Sequence, residues 1–207
     1  MVDPESITDY NLNTQELQER ILFWVCAAGK NGRTAARCCD KFLRLIGANE
    51  IYFPFEAIGG LSKESLPAIL KSCGIGCYTN KARTMWELAH SGLDLKTCEA
   101  KDLEKIYGIG MKTSRCFLLH SRKNARYAGL DTHVLKFLKK KGHDAPKSTP
   151  VGRKYLELEA IFLKYADRAK KAPAELDLEI WNKYSVKSTE KKESENGAGN
   201  SQRAERS

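Results

Sequence analysis

Two side chains in this sequence have the types and spacing for covalent chemistry on a polyanion. Lys112 follows a glycine-bracketed turn, Gly108-Ile109-Gly110, and falls with Thr113 on the first turn of a helix. Asp131 comes one helix and one return loop later, at the head of LDTHVLKFLKK. A glycine turn lets the backbone take φ > 0 and approach a ligand closely. The helix behind it points unpaired N–H groups and the positive end of its dipole outward, which suits a phosphate. A lysine amine at that place, once neutral, carries the lone pair a nucleophile needs. Asp131 is a natural N-cap, and its carboxylate is also a candidate for stabilising positive charge or moving a proton.

Charge points to the same partner. The chain has 207 residues and a formal net charge of +9. Between Lys112 and Lys154 stand twelve Lys and Arg against two acids, Asp131 and Asp144, so that segment alone carries +10. The remainder is nearly neutral. A basic surface concentrated around one turn fits nucleic acid. No apolar run approaches the roughly 18 to 20 residues of a membrane span, so no membrane partner is expected. The seven cysteines lie in no disulfide-like array and are read as reduced thiols. Cys73 and Cys77 have a possible ligand spacing, but no second pair and no nearby histidines accompany them.

The elements that must position these residues read as helices throughout. Residues 1–13 are expected to be a flexible arm. Thr14 is placed to cap a first helix with Leu17, Ile21, Leu22 and Val25 on its buried side, ending near Gly29. A second helix is predicted from Arg33 to Ile46, leaving Lys30 and Asn31 in the corner. Tyr52 to Gly60, with Pro54 and Gly59-Gly60, reads as a loop with one helical turn. Ser62 to Cys73 is a helix with Pro67 near its start. GCYTNKA then leads into another amphipathic helix, with Lys81 on its first turns. After the glycine turn comes a buried helix, then a basic loop with Arg122, Lys123 and Arg126. Gly152 to Lys171 carries Tyr155, Leu158, Ile161, Phe162 and Tyr165 at helical spacing, a stripe that reads as core. Pro173 opens a last helix with Trp181. Residues 186–207 are polar, lack aromatics and read as a disordered tail.

The stretch from Leu103 to Val134, LEKIYGIGMKTSRCFLLHSRKNARYAGLDTHV, resembles the helix-hairpin-helix DNA glycosylases, closely over about 30 residues. Weaker matches extend over most of residues 15–185. The resemblance implies an all-α fold of two helical lobes within residues 14–185, with the hairpin near residues 100–120 and a DNA-binding cleft between the lobes. It implies Lys112 as the nucleophile and Asp131 as its carboxylate partner, and with a lysine here a bifunctional glycosylase and lyase. It assigns Gly108, Gly110 and Thr113 to the DNA phosphate and His133 to the phosphate chain. Lys81 is assigned to the DNA backbone, and Trp181 to the pocket for the extruded base. Lys30 or Asn31 would fill the gap the base leaves; the sequence does not choose between them.

For substrate, the relatives split into oxidised-purine and oxidised-pyrimidine branches. The pyrimidine branch carries an iron–sulfur cluster on four C-terminal cysteines, and this chain has no cysteine after Cys116. The absent cluster, the compact size and the ending LDLEIWNKY resemble the small archaeal and bacterial 8-oxoguanine glycosylases. LDTHV and the long basic loop are departures, the former shared with the pyrimidine branch. The expected partner is double-stranded DNA bearing a damaged base, met by a monomer in the cytoplasm of a prokaryote or the nucleus of a eukaryote. No cofactor is expected beyond a monovalent cation on the backbone carbonyls of Glu104, Ile106 and Ile109. The alternatives are an oxidised-pyrimidine enzyme without a cluster and a non-catalytic hairpin module, which would need the glycine turn but not Lys112 with Asp131.

Overall fold

The computed structural model describes residues 1–48 and 53–185. The chain divides into two compact units, the first Met1–Gly129 and the second beginning at Leu130. The first contains α1 (Thr14–Ala27), α2 (Gly32–Leu45), α3 (Pro54–Gly59), α4 (Leu66–Ser72), α5 (Tyr78–His90), α6 (Ala100–Leu103) and α7 (Met111–Ser121). The second contains α8 (Thr132–Lys140), α9 (Gly152–Ala169) and α10 (173–185). The fold is all-α, with no strand among the described residues. No described helix is long and apolar enough to cross a membrane.

Helix α1 is the centre of the first unit. Its neighbours are α2, α3, α5 and α7. Leu17, Ile21, Leu22, Phe23, Val25, Cys26 and Ala27 are all buried, so the second half of the helix is apolar on nearly every side. The cap is Asn13, not Thr14. Asn13 accepts the Glu16 amide at 3.0 Å while the Glu16 carboxylate accepts the Asn13 amide at 2.8 Å. This reciprocal box satisfies two otherwise unpaired donors, which a lone Thr14 hydroxyl would not do.

Residues 1–13, expected to be a flexible arm, are docked on the first unit. Ile7 is only 2% exposed and Leu12 is buried. The Ile7 carbonyl accepts from Arg20, and the Asp9 amide donates to the His120 carbonyl at 3.0 Å. Two apolar anchors and two hydrogen bonds, one to α1 and one to α7, suffice to dock an irregular strap. The expected loop after Tyr52 is helical from Pro54, which takes the first helical position where its missing N–H costs nothing. The expected helix from Ser62 begins only at Leu66, with Pro67 in its first turn. The expected tail, residues 186–207, lies outside the described residues.

The second unit builds its core from Val134, Leu135 and Leu138 of α8, Tyr155, Leu158, Phe162 and Ala166 of α9, and Ala174, Leu176 and Ile180 of α10. Of the aromatic and aliphatic stripe on α9, Tyr155, Leu158 and Phe162 are core. Ile161 and Tyr165 are half-buried. The Tyr155 hydroxyl, wholly buried, receives the Leu130 amide at 3.3 Å, and Thr149 donates to the Leu130 carbonyl at 2.9 Å. Both bonds fix the residue just before Asp131.

Candidate active site

The glycine turn is held from behind by one face of α5. Glu87 accepts the Tyr107 amide at 3.0 Å, Arg83 stacks on the Tyr107 ring at 3.8 Å, and the Tyr107 hydroxyl donates to Asn80 at 3.3 Å. Thr84 lies under Gly108. Residues 80, 83, 84 and 87 form a helical stripe, so α5 works as a cradle. The signal was present in the sequence as a polar face, but nothing said what it faced. Its Arg83 partner and the Tyr107 amide, in that order, hold the Glu87 carboxyl below its ordinary range. On the other side of the turn, Glu104 accepts from Arg115 and, at 2.7 Å, from Ser114. Arg115 is buried, so this member of the basic segment serves the hairpin and not the surface.

The two glycines have different reasons. Gly108 has φ +80°, and a Cβ there would stand 2.3 Å from Thr84 Oγ1. Gly110 caps α7 with extended backbone, φ −97° and ψ 179°, and a Cβ on it would meet nothing within 4 Å. Nothing among the described residues demands glycine at 110. A bare Cα there keeps open the space in front of the helix start, where the amides of residues 111–113 lack helical acceptors.

Lys112 is half-buried at the second position of α7. Its Nζ lies 5.9 Å from the centroid of Trp24 on α1. Thr113, expected to touch DNA, is only 6% exposed, so its side chain packs inward and its contribution outward is the amide. Arg122, from the basic loop, donates to the Leu95 carbonyl and is likewise spent internally.

The corner between α1 and α2 departs furthest from expectation. Lys81 is 6% exposed, and its Nζ donates to the carbonyls of Cys26 at 2.8 Å and Ala28 at 2.9 Å. It closes the end of α1, where carbonyls have no helical donor, and does not present its charge to a phosphate. Burial pushes its amine below the ordinary lysine value. Lys30 donates to the Gly74 carbonyl. Asn31 caps α2, accepting the Thr34 amide at 3.2 Å, and is exposed. Of the two wedge candidates, Asn31 alone is exposed.

In the second unit, Asp131 caps α8. One oxygen, Oδ1, accepts the His133 and Val134 amides, each at 2.8 Å, which sets the direction of the whole carboxylate. His133 is half-buried, 6.5 Å edge-on from Trp181 and 6.4 Å from Tyr184. Its Nδ1 is buried without a hydrogen-bond partner among the described residues. Trp181 is half-buried. Asp131, His133 and Trp181 thus share one unit, as Gly108, Gly110, Lys112 and Thr113 share the other. No described group of three or more His, Cys, Asp or Glu side chains is disposed to hold a metal.

Residues 10–171 match the 8-oxoguanine DNA glycosylase family of helix-hairpin-helix proteins. The chain belongs to that family. It is a DNA repair glycosylase, and the glycine turn with its lysine and the later aspartate lie inside the matched span. Solved structures give the glycosylase the same fold. The 8-oxoguanine DNA glycosylase of Thermotoga maritima is 22% identical, with a TM-score of 0.65 over 83% of this chain and 81% of that one. The Methanocaldococcus jannaschii 8-oxoguanine glycosylase/lyase, solved with DNA containing 8-oxoguanine, is 22% identical. Its TM-score is 0.67 over 85% and 84%. A trapped endonuclease III–DNA covalent intermediate is 20% identical, with a TM-score of 0.61 over 87% and 76%.

Proposed function

We propose that this glycosylase excises 8-oxoguanine from duplex DNA and then cuts the strand through a Schiff base on Lys112. What carries the reading is Lys112 itself: an amine on the first turn of α7, directly behind an anion-ready helix start, in a chain of the 8-oxoguanine family. The amides after Gly110 grip a phosphate without reading sequence. The damaged nucleotide leaves the stack, because its sugar carbon is out of reach inside the duplex. As the bond from C1′ to the base breaks, the base departs with the electron pair and takes up a proton from solvent. Positive charge builds on the sugar, and the Asp131 carboxylate stabilises it. The neutral Lys112 amine attacks C1′, the sugar ring opens, and an iminium links Nζ to C1′. Loss of a proton from C2′ then expels the 3′ phosphate.

Asp131 keeps its capping role throughout. His133 addresses the phosphate chain, Trp181 the extruded base and Asn31 the gap behind it. A monovalent cation on the carbonyls of Glu104, Ile106 and Ile109 belongs to the same proposal. The Ile106 carbonyl already accepts the Ile109 amide at 3.1 Å, so a cation would use its second lone pair. No chemical step passes through that ion. The protein acts as a monomer where the cell keeps its DNA.

Borohydride trapping tests the reading. Wild-type protein should form a covalent adduct with a duplex bearing 8-oxoguanine, and Lys112→Gln should form none. Asp131→Asn retains a good cap, so it should bind duplex normally and lose most base excision. Unchanged turnover in that variant removes the aspartate from the mechanism. A panel of damaged bases decides the substrate, and preference for an oxidised pyrimidine would replace 8-oxoguanine. A wild-type chain that binds duplex but never traps would be a binding module only.

A further inference from the structure

Among the described residues of the first unit, Trp24 is the aromatic ring set against the Lys112 amine. The indole gains nothing from its own polar group: Nε1 is buried with no hydrogen-bond partner among the described residues. Tryptophan usually finds such a partner when buried, so an unsatisfied one is costly and asks for an explanation in the ring. The faces and edges of the ring are what the fold uses. Trp24 stacks on His120, centroids 5.7 Å apart and planes 18° apart, and meets Phe23 at 5.1 Å edge-on.

His120 is itself immobilised. It is 1% exposed, its Nδ1 lies 2.7 Å from Thr8 Oγ1, and its carbonyl takes the Asp9 amide. Lys112 and His120 lie along one stripe of α7, at steps of four through Cys116, and α1 packs against that helix. The strap at residues 8–9 therefore fixes His120, His120 fixes the plane of Trp24, and Lys112 Nζ sits 5.9 Å from the ring centroid. That distance is within the reach of about 6 Å for attraction between an ammonium and an aromatic face.

We propose that Trp24 is a positioning residue for Lys112: its ring seats the amine between turnovers, so that the lysine enters each reaction from one place and not from many. The inference rests on Lys112 being the nucleophile. A flexible four-carbon stem is the least ordered part of such a site, and restricting it shortens the search that precedes attack. The strap at residues 8–9 thereby gains a role in catalysis through two contacts, although it touches no reacting atom.

The test is single-turnover borohydride trapping on a duplex with a preformed abasic site, at saturating enzyme. Affinity for a duplex carrying a tetrahydrofuran abasic analogue is measured beside it. Trp24→Leu should trap about fivefold to tenfold more slowly while affinity for the analogue changes by less than about twofold. Trp24→Phe should restore most of the rate, because a ring face survives although the indole N–H does not. Should the leucine variant fail to fold, phenylalanine and pentafluorophenylalanine introduced at position 24 make the same comparison at nearly constant shape. The fluorinated ring, its negative face removed, should be the slower. Equal trapping rates for the paired variants, in a wild-type background that does trap, overturn this inference alone. A wild type that never traps overturns the lysine's role and this inference together.

Discussion

Replacing Gly108 by alanine separates two costs that the structure sets side by side. At φ +80°, a residue with a Cβ is in the left-handed region, which costs roughly 1–2 kcal/mol. The added Cβ also stands 2.3 Å from Thr84 Oγ1, too close for either atom to stay. Thr84 is buried, and its hydroxyl donates to the Asn80 carbonyl at 3.0 Å. Turning that hydroxyl away gives up the bond, worth about 0.5–1.5 kcal/mol. The expected loss for Gly108→Ala is therefore about 1.5–3.5 kcal/mol, the sum of a backbone and a contact contribution. Thr84→Ala removes the offending oxygen and leaves only the backbone part. In that background the added cost of Gly108→Ala should fall to about 1–2 kcal/mol, a coupling near 1 kcal/mol between the two sites. Urea unfolding followed by circular dichroism on the four proteins of the cycle gives the number, and amide exchange along α7 locates it. Both alanine-108 proteins should also bind duplex more weakly, because the turn no longer aims its amides. A Gly108→Ala protein within about 0.5 kcal/mol of wild type, or a penalty unchanged by Thr84→Ala, would refute the account of this glycine.

Gly110→Ala makes the opposite prediction: stability within about 1 kcal/mol of wild type, since its φ is ordinary and its surroundings open, but a clear loss of duplex affinity by fluorescence anisotropy. Lys81→Met should destabilise the protein by about 2–4 kcal/mol in chemical denaturation, because the Cys26 and Ala28 carbonyls lose their donor in a buried place; an unchanged midpoint would mean water replaces the ammonium. The Glu87 carboxyl is held below its ordinary value, so it binds its proton less readily folded than unfolded. Its contribution is present above the usual carboxylate value of about 4.3 and is lost as pH falls through the lowered folded value. Glu87→Gln should flatten that acid limb in a thermal-shift series, and an identical acid limb in both proteins would show that Glu87 does not anchor Tyr107.

The residues legible in the sequence are those whose role is local. Gly108, Gly110 and Lys112 are tied to one turn and the helix behind it, and Asp131 to the first turn of α8. Local spacing marks the turn, the helix start behind it and the Asp131 cap, whereas the Thr84 contact that requires glycine at 108 lies 24 positions away. The all-α fold is equally local, being written in the 3.6-residue apolar stripes. Lys81 shows where this stops. A lysine on the first turns of an amphipathic helix looks like a phosphate ligand or a solvated charge, and the sequence offers no third choice. Its actual partners are the carbonyls of residues 26 and 28, more than fifty positions away, and they are short of donors only because α1 ends there under cover. Trp24 escaped notice for the same reason. On α1 it is a half-buried ring beside seven buried residues, and only the packing of α7 puts His120 and Lys112 beside it. A residue that acts through another leaves no mark on its own segment. The contacts to test by mutation in this glycosylase are thus the long-range ones around Lys112, since those set its geometry and no motif contains them.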